Sequence, residues 1–110
     1  MDKRNLFGKV LVRSDVLANN NSIYRIKLMI QHPMESGYRL NKYGKKIERN
    51  IIKKVKCLYE DLVVFNATLF PGVSKNPFFE FCIVKKQSNT IKVISEDENG
   101  FRILIKKNFF

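Results

Sequence analysis

The stretch Phe70-Pro71-Gly72-Val73-Ser74-Lys75-Asn76-Pro77-Phe78-Phe79-Glu80-Phe81 decides how this chain folds. Proline presets φ at the second position of a turn, and glycine accepts the positive φ that a type II turn needs next, so Pro71-Gly72 marks a reversal. Pro77 disfavours helical geometry at the residue before it and predicts an extended Asn76. Phe79, Phe81 and Ile83 then recur at period two, the spacing of a strand. The segment reads as a rigid loop feeding an aromatic strand.

The flanking sequence has the same character. Downstream, Gln87-Ser88-Asn89 turns the chain and Ile91–Ser95 reads as a strand. Asp97-Glu98-Asn99-Gly100 reads as a tight turn, with Asn-Gly supplying positive φ. Phe101–Lys107 follows, with Phe101, Ile103 and Ile105 on one face, and Asn108-Phe109-Phe110 forms a tail. Upstream, Asp61–Phe70 is a strand with Val63, Phe65, Ala67 and Leu69 inward. In Ile47–Tyr59, Ile47, Ile51, Val55 and Leu58 fit helical spacing, whereas Ile51, Val55, Cys57 and Tyr59 nearly fit strand spacing. The β-branched content and the neighbouring strands favour a strand. Residues 32–46, HPMESGYRLNKYGKK, are broken by Pro33, Gly37 and Gly44 and read as a long loop of the kind that often carries function. Ser22–Gln31 alternates cleanly, with Tyr24, Ile26, Leu28 and Ile30 on one face and Arg25, Lys27, Met29 and Gln31 on the other. Asn19-Asn20-Asn21 is a polar turn. Leu6–Arg13 is the first strand, with Val10 and Val12 together. Seven such strands predict an all-β, single-domain antiparallel β-sandwich, immunoglobulin-like, spanning residues 1–110 with its core at about 6–107.

The chain has 110 residues, the length of one domain, and a formal charge of +11. That charge invites nucleic acid or an anionic surface as partner. Abundant Lys, Asn and Ile also follow from A/T-rich codons. The ordered exposed aromatics of an RNA-binding sheet are absent, so Lys45-Lys46 and Lys53-Lys54 read as solvated. No stretch is long and apolar enough for a membrane helix. MDKRNLFGKVLVRSD lacks the apolar core and cleavage site of a secretory signal, which taken alone favours the cytoplasm.

No catalytic or cofactor constellation emerges. His32 has no serine or cysteine placed beside it in sequence and reads as a loop hydrogen-bonder. Glu35 and the Glu96-Asp97-Glu98 run read as solvated carboxylates rather than a cation site. Cys57 and Cys82 suit no metal spacing; both are expected to be buried and inert, with a cross-sheet disulfide as the alternative. No glycine-rich phosphate loop is present. Several strands carry apolar residues on both faces: Phe78, Cys82 and Val84 oppose Phe79 and Phe81, and Val64 opposes Val63 and Phe65. A sandwich buries one face of each strand, so either a permanent partner or an extra loop covers the surplus; the partner is the preferred reading.

HPMESGYR at 32–39, followed about thirty residues later by VSKNPFFEF at 73–81, resembles the SoxZ family, the smaller subunits of the SoxYZ sulfur-carrier complex. The intervening Gly-Lys-Lys-Ile turn at 44–47 and the late Asp97–Gly100 turn stand in matching order. Leu69-Phe70 stands where related sequences often have Trp-Gly, and Glu48-Arg49-Asn50 replaces a Pro-Ala-His-like segment. The resemblance implies a non-enzymatic scaffold that needs no cofactor or metal. Its partner would be SoxY, in a heterodimer or higher assembly, whose C-terminal Gly-Gly-Cys-Gly-Gly arm carries thiosulfate-derived sulfur. Other Sox enzymes would be transient contacts, with neither nucleic acid nor membrane involved. This chain ends Lys-Lys-Asn-Phe-Phe, without such an arm. The resemblance places it in the periplasm by co-export with SoxY. Val73, Ser74, Lys75, Asn76, Pro77, Phe78 and Phe79 are the expected partner interface. His32, Pro33, Met34, Glu35, Gly37 and Arg39 form the family-motif loop. A basic nucleic-acid-binding or other protein-interaction β-module is the alternative.

Overall fold

The computed structural model describes residues 9–17 and 19–109. Seven strands follow one another: β1 (Val10–Leu17), β2 (Asn20–Ile30), β3 (Ile52–Tyr59), β4 (Leu62–Thr68), β5 (Phe78–Val84), β6 (Thr90–Asp97) and β7 (Arg102–Asn108). They form two antiparallel sheets, of order β1-β2-β5 and β4-β3-β6-β7. The all-β sandwich expected from the alternation is therefore the architecture. One strand sits differently from the constant-type immunoglobulin arrangement, in which the fourth strand joins the sheet of the first two. Here β4 stays beside β3. Tyr59 pairs with Leu62, and the two residues between them have positive φ, 50° at Glu60 and 66° at Asp61. That is the twist of a type I′ turn, which returns the chain onto its own sheet.

The core lies where the alternation places it. Val10, Ile26, Leu28 and Ile30 of the smaller sheet face Ile52, Val55, Cys57, Ile91 and Val93 of the larger, all fully enclosed. Phe65 of β4 stacks on Phe81 of β5 (4.8 Å, 13°) and lies 5.4 Å from Phe79, joining the two sheets along one edge. At the other end Phe109 of the tail is buried edge-on between Tyr24 (6.2 Å) and Tyr59 (5.8 Å). The Tyr59 hydroxyl donates to the Ser88 carbonyl (2.6 Å) and accepts the Lys86 N–H (2.9 Å), so its polar end is satisfied inside an apolar box.

Several boundaries differ from the sequence reading. β1 continues to Leu17, because β2 begins already at Asn20 and supplies partners to that point; residues 6–8 lie outside the described residues. β3 starts at Ile52 rather than Ile47. In β4 the register passes from Cys57↔Phe65 to Leu58↔Val63, leaving Val64 as the extra residue of a β-bulge. The bulge flips the alternation, so Val63 is 54% exposed while Val64 packs on the core. Cys82 is exposed on the outer face of β5 and Cys57 is buried inside, so the two remain free thiols. The expected burial of Cys82 fails because it falls at odd register between the inward Phe81 and Ile83.

Candidate partner-binding site

The residues singled out from the sequence converge at one end of the sandwich. β2 and β3 are joined by the motif loop, β4 and β5 by residues 69–77, and β6 and β7 by the Asp97–Gly100 turn. Phe70-Pro71-Gly72-Val73 makes the expected turn: the Val73 N–H bonds to the Phe70 carbonyl (3.4 Å), and Gly72 takes φ 107°.

The two motif blocks are bonded to each other. The Asn76 N–H donates to the His32 carbonyl (2.8 Å), and the His32 N–H donates to Asn76 Oδ1 (3.0 Å). This reciprocal pair overrides the expected extended geometry, since Asn76 sits at φ 55°. Asparagine tolerates that region better than most residues. The Ile30 N–H then donates to the Pro77 carbonyl (3.1 Å), fixing the start of β5 beside the end of β2.

His32 also joins this loop to the opposite sheet. Its Nδ1 accepts the Met34 N–H (2.9 Å), which leaves the proton on Nε2, 3.5 Å from Asp97 Oδ2. Asp97 Oδ1 accepts the N–H groups of Asn99 (3.0 Å) and Phe101 (2.9 Å). Both side chains are nearly inaccessible, at 2% and 3% exposure. Asp97 is thus a buried anchor rather than part of a solvated acidic run. Burial pushes the His32 imidazole below its ordinary value, against the opposing pull of Asp97. With its ring enclosed and both nitrogens facing protein groups, His32 cannot reach a substrate. Its role is to hold the loop, as the sequence reading expected. Among the described residues no cluster of three His, Cys, Asp or Glu could hold a metal ion. The turn after Asp97 takes positive φ at Gly100 (83°) but not at Asn99.

Beyond Met34 the expected structureless loop is an extended hairpin. Glu35 and Asn50 exchange backbone bonds (both 2.8 Å), the Ile47 N–H donates to the Arg39 carbonyl (2.9 Å), and Asn41 and Lys45 close the tip (2.8 Å). Glycine is required at Gly37: φ is 91°, and a Cβ there would meet Arg49 Cβ at 3.1 Å. Arg39 pairs with Glu35, and Arg49 with Glu98 (2.7 Å), each guanidinium holding its carboxylate below the usual range. Between the hairpin base and the 73–77 segment lies a cleft of about 450 Å³, lined by Pro33, Met34, Glu35, Ser36, Arg39 and Lys75.

The outer face of the smaller sheet meets this end. Leu11 pairs with Met29, and Met29 with Phe78, so one apolar row crosses all three strands. Leu11 is 42% and Phe78 57% exposed. Phe79, by contrast, points inward. The middle of the face is ionic, with Arg25 bonded to Glu80 (3.0 Å) and near Asp15 (3.7 Å). Val84 is exposed toward the far end. On this face the apolar side chains at the motif-bearing end are Leu11, Met29 and Phe78. Sequence reasoning offered Phe78 but not the other two, whose register against it appears only once the strands pair.

The fold recurs in solved structures of low identity. A variant of superoxide reductase (neelaredoxin) from Ignicoccus hospitalis superposes with TM-score 0.66 at 14% identity, covering 97% of this chain and 82% of that one. A hypothetical protein from Pyrococcus horikoshii gives 0.64 at 7% identity, covering 96% and 90%. These likenesses establish the sandwich alone. No curated protein matches the chain. The family model described as Sulphur oxidation protein SoxZ matches residues 12–103, taking in both motif blocks, the hairpin between them and the Asp97–Gly100 turn. With that match over most of its length, the chain belongs to the SoxZ family of sulfur-oxidation proteins.

Proposed function

We propose that this chain is the non-catalytic scaffold subunit of a sulfur-carrier complex in the Sox system. It pairs with SoxY and presents SoxY's C-terminal cysteine arm, which carries thiosulfate-derived sulfur from one Sox enzyme to the next. The complex works in the periplasm, which this chain reaches by co-export with SoxY. Family membership supports the Sox assignment. The observation that carries the pairing is the apolar row on the outer face of the smaller sheet, with Leu11 and Phe78 exposed and half-buried Met29 between them. The rigid end beside it, where His32, Asn76 and Asp97 lock three connections together, suits a body that must hold a mobile arm in register. Of the 73–77 segment, Ser74 and Lys75 are exposed at the same end and complete the proposed contact, whereas Val73 packs on the core and Pro77 is buried. Co-purification tests the reading. Phe78→Asp and Lys75→Glu are each expected to weaken recovery of SoxY with this chain, with Phe78→Asp the stronger; undiminished recovery with both variants overturns the proposed contact.

A further inference from the structure

The hairpin over residues 35–50 has a composition that its tether to the sandwich does not explain. Every residue from Tyr38 to Lys46 is exposed. Tyr38 is 81%, Tyr43 75% and Leu40 56% exposed, an apolar load outside the hydrophobic core. Lys42, Lys45 and Lys46 share the tip, and Lys42 Nζ stands 5.1 Å from the Tyr43 ring centre. The other cations of the hairpin are neutralised locally, Arg39 by Glu35 and Arg49 by Glu98. Among the described residues the three lysines at the tip have no carboxylate within ion-pair distance.

We infer that this hairpin is a second recognition element, which inserts into an acidic cleft on another protein. Tyrosine is enriched at the centre of protein interfaces, because it gives large contact area for little lost side-chain freedom. Lysines beside it supply long-range attraction to carboxylates and speed encounter. Single-stranded nucleic acid needs a basic groove that tracks its backbone past stacking rings; the cleft at the hairpin base is lined by Pro33, Met34, Glu35, Ser36, Arg39 and Lys75, with neither tyrosine and none of the three tip lysines. A fully exposed basic tip is complementary in charge to an acidic cleft. The inference goes beyond the pairing with SoxY and stands on different residues.

A random Glu–Tyr copolymer serves as the acidic probe, with binding measured at low salt on the full chain and again on its complex with SoxY. Replacing Lys42, Lys45 and Lys46 together by alanine is expected to weaken binding about tenfold, the sum of three exposed charge contacts. The same replacement at Lys54, Lys56 and Lys106, on the outer face of the larger sheet, removes equal charge and is expected to change binding less than about twofold. Tyr38→Ala with Tyr43→Ala is expected to weaken binding at unchanged charge. Titration followed by amide chemical shifts on the unaltered chain should locate the probe at residues 38–46. Equal loss from the two lysine sets, or undiminished binding by the tyrosine variant, overturns the inference. So do shifts centred elsewhere, loss of binding in the SoxY complex, or tighter binding of single-stranded DNA through the same residues.

Discussion

Removing the Asp97 carboxylate should loosen the whole motif-bearing end of the sandwich, and the size of the effect can be worked from its contacts. Asp97 Oδ1 accepts two backbone N–H groups, from Asn99 and Phe101, and Oδ2 lies 3.5 Å from His32 Nε2. A hydrogen bond to a charged group contributes about 1.5–3 kcal/mol. The Asn99 N–H can turn to water in the variant, whereas the His32 proton cannot. Asp97→Ala is therefore expected to destabilise by about 3 kcal/mol, lowering Tm by on the order of 12 °C at about 4 °C per kcal/mol. His32→Ala should cost a similar amount, since it strands the buried Met34 N–H. Because the two side chains face each other, their effects should not add. A double-mutant cycle by urea unfolding is expected to give a coupling of about 1–2 kcal/mol. Additivity within about 0.5 kcal/mol would refute the view that this pair ties the loop to the larger sheet. The pH dependence has a definite sign. His32 binds its proton less readily folded than unfolded, so its contribution is fully present above the ordinary histidine value of about 6.5 and is lost as pH falls toward the folded value. His32→Gln should remove that part of the acid sensitivity.

Three other outcomes follow from single positions. Asp61→Gly relieves a non-glycine residue at φ 66° in the type I′ turn and should raise stability by about 0.5–1 kcal/mol, read as a higher Tm; an unchanged or lower Tm contradicts the turn assignment. Asn76→Ala loses the acceptor for the His32 N–H and places alanine at φ 55°, so a loss of about 2 kcal/mol is expected in urea unfolding. Native labelling with Ellman's reagent should modify one thiol: Cys82 is exposed, while Cys57 is enclosed and its thiol is pushed up to about 12 by burial. Two fast thiols, or none, would contradict that placement.

The alternation in Ser22–Gln31 and in Phe79, Phe81 and Ile83 carried the fold, because period-two apolar spacing places one face of each strand inside whatever the partners are. Pro71-Gly72 was legible for the same reason: its geometry is local. Three features escaped the sequence, and each depends on a distant partner. The Val64 bulge needs the register against Cys57 and Leu58. The exposure of Cys82 needs the side of β5 that faces Phe65. The buried Asp97 needs His32, 65 positions earlier in the chain. Asn76 was misread because a local steric rule met two hydrogen bonds to His32 that outweigh it. The residues of the proposed contact divide in the same way. Phe78 stood out as surplus apolar surface within its own strand, whereas Leu11 and Met29 joined it only through cross-strand pairing. The motif loop was recognisable by its residues, but its hairpin form was not, since Gly37 and Gly44 read as breaks rather than as the places where two short arms approach and turn.

The most direct test of the account is the mass of the particle formed when this chain is co-expressed with SoxY. Size-exclusion chromatography with light scattering should give a stable complex containing both chains, and Phe78→Asp should return this chain to the monomer fraction while it stays folded. A chain that elutes alone beside intact SoxY, or a complex indifferent to Phe78→Asp, would contradict the claim that the exposed face of the smaller sheet is where the carrier subunit binds.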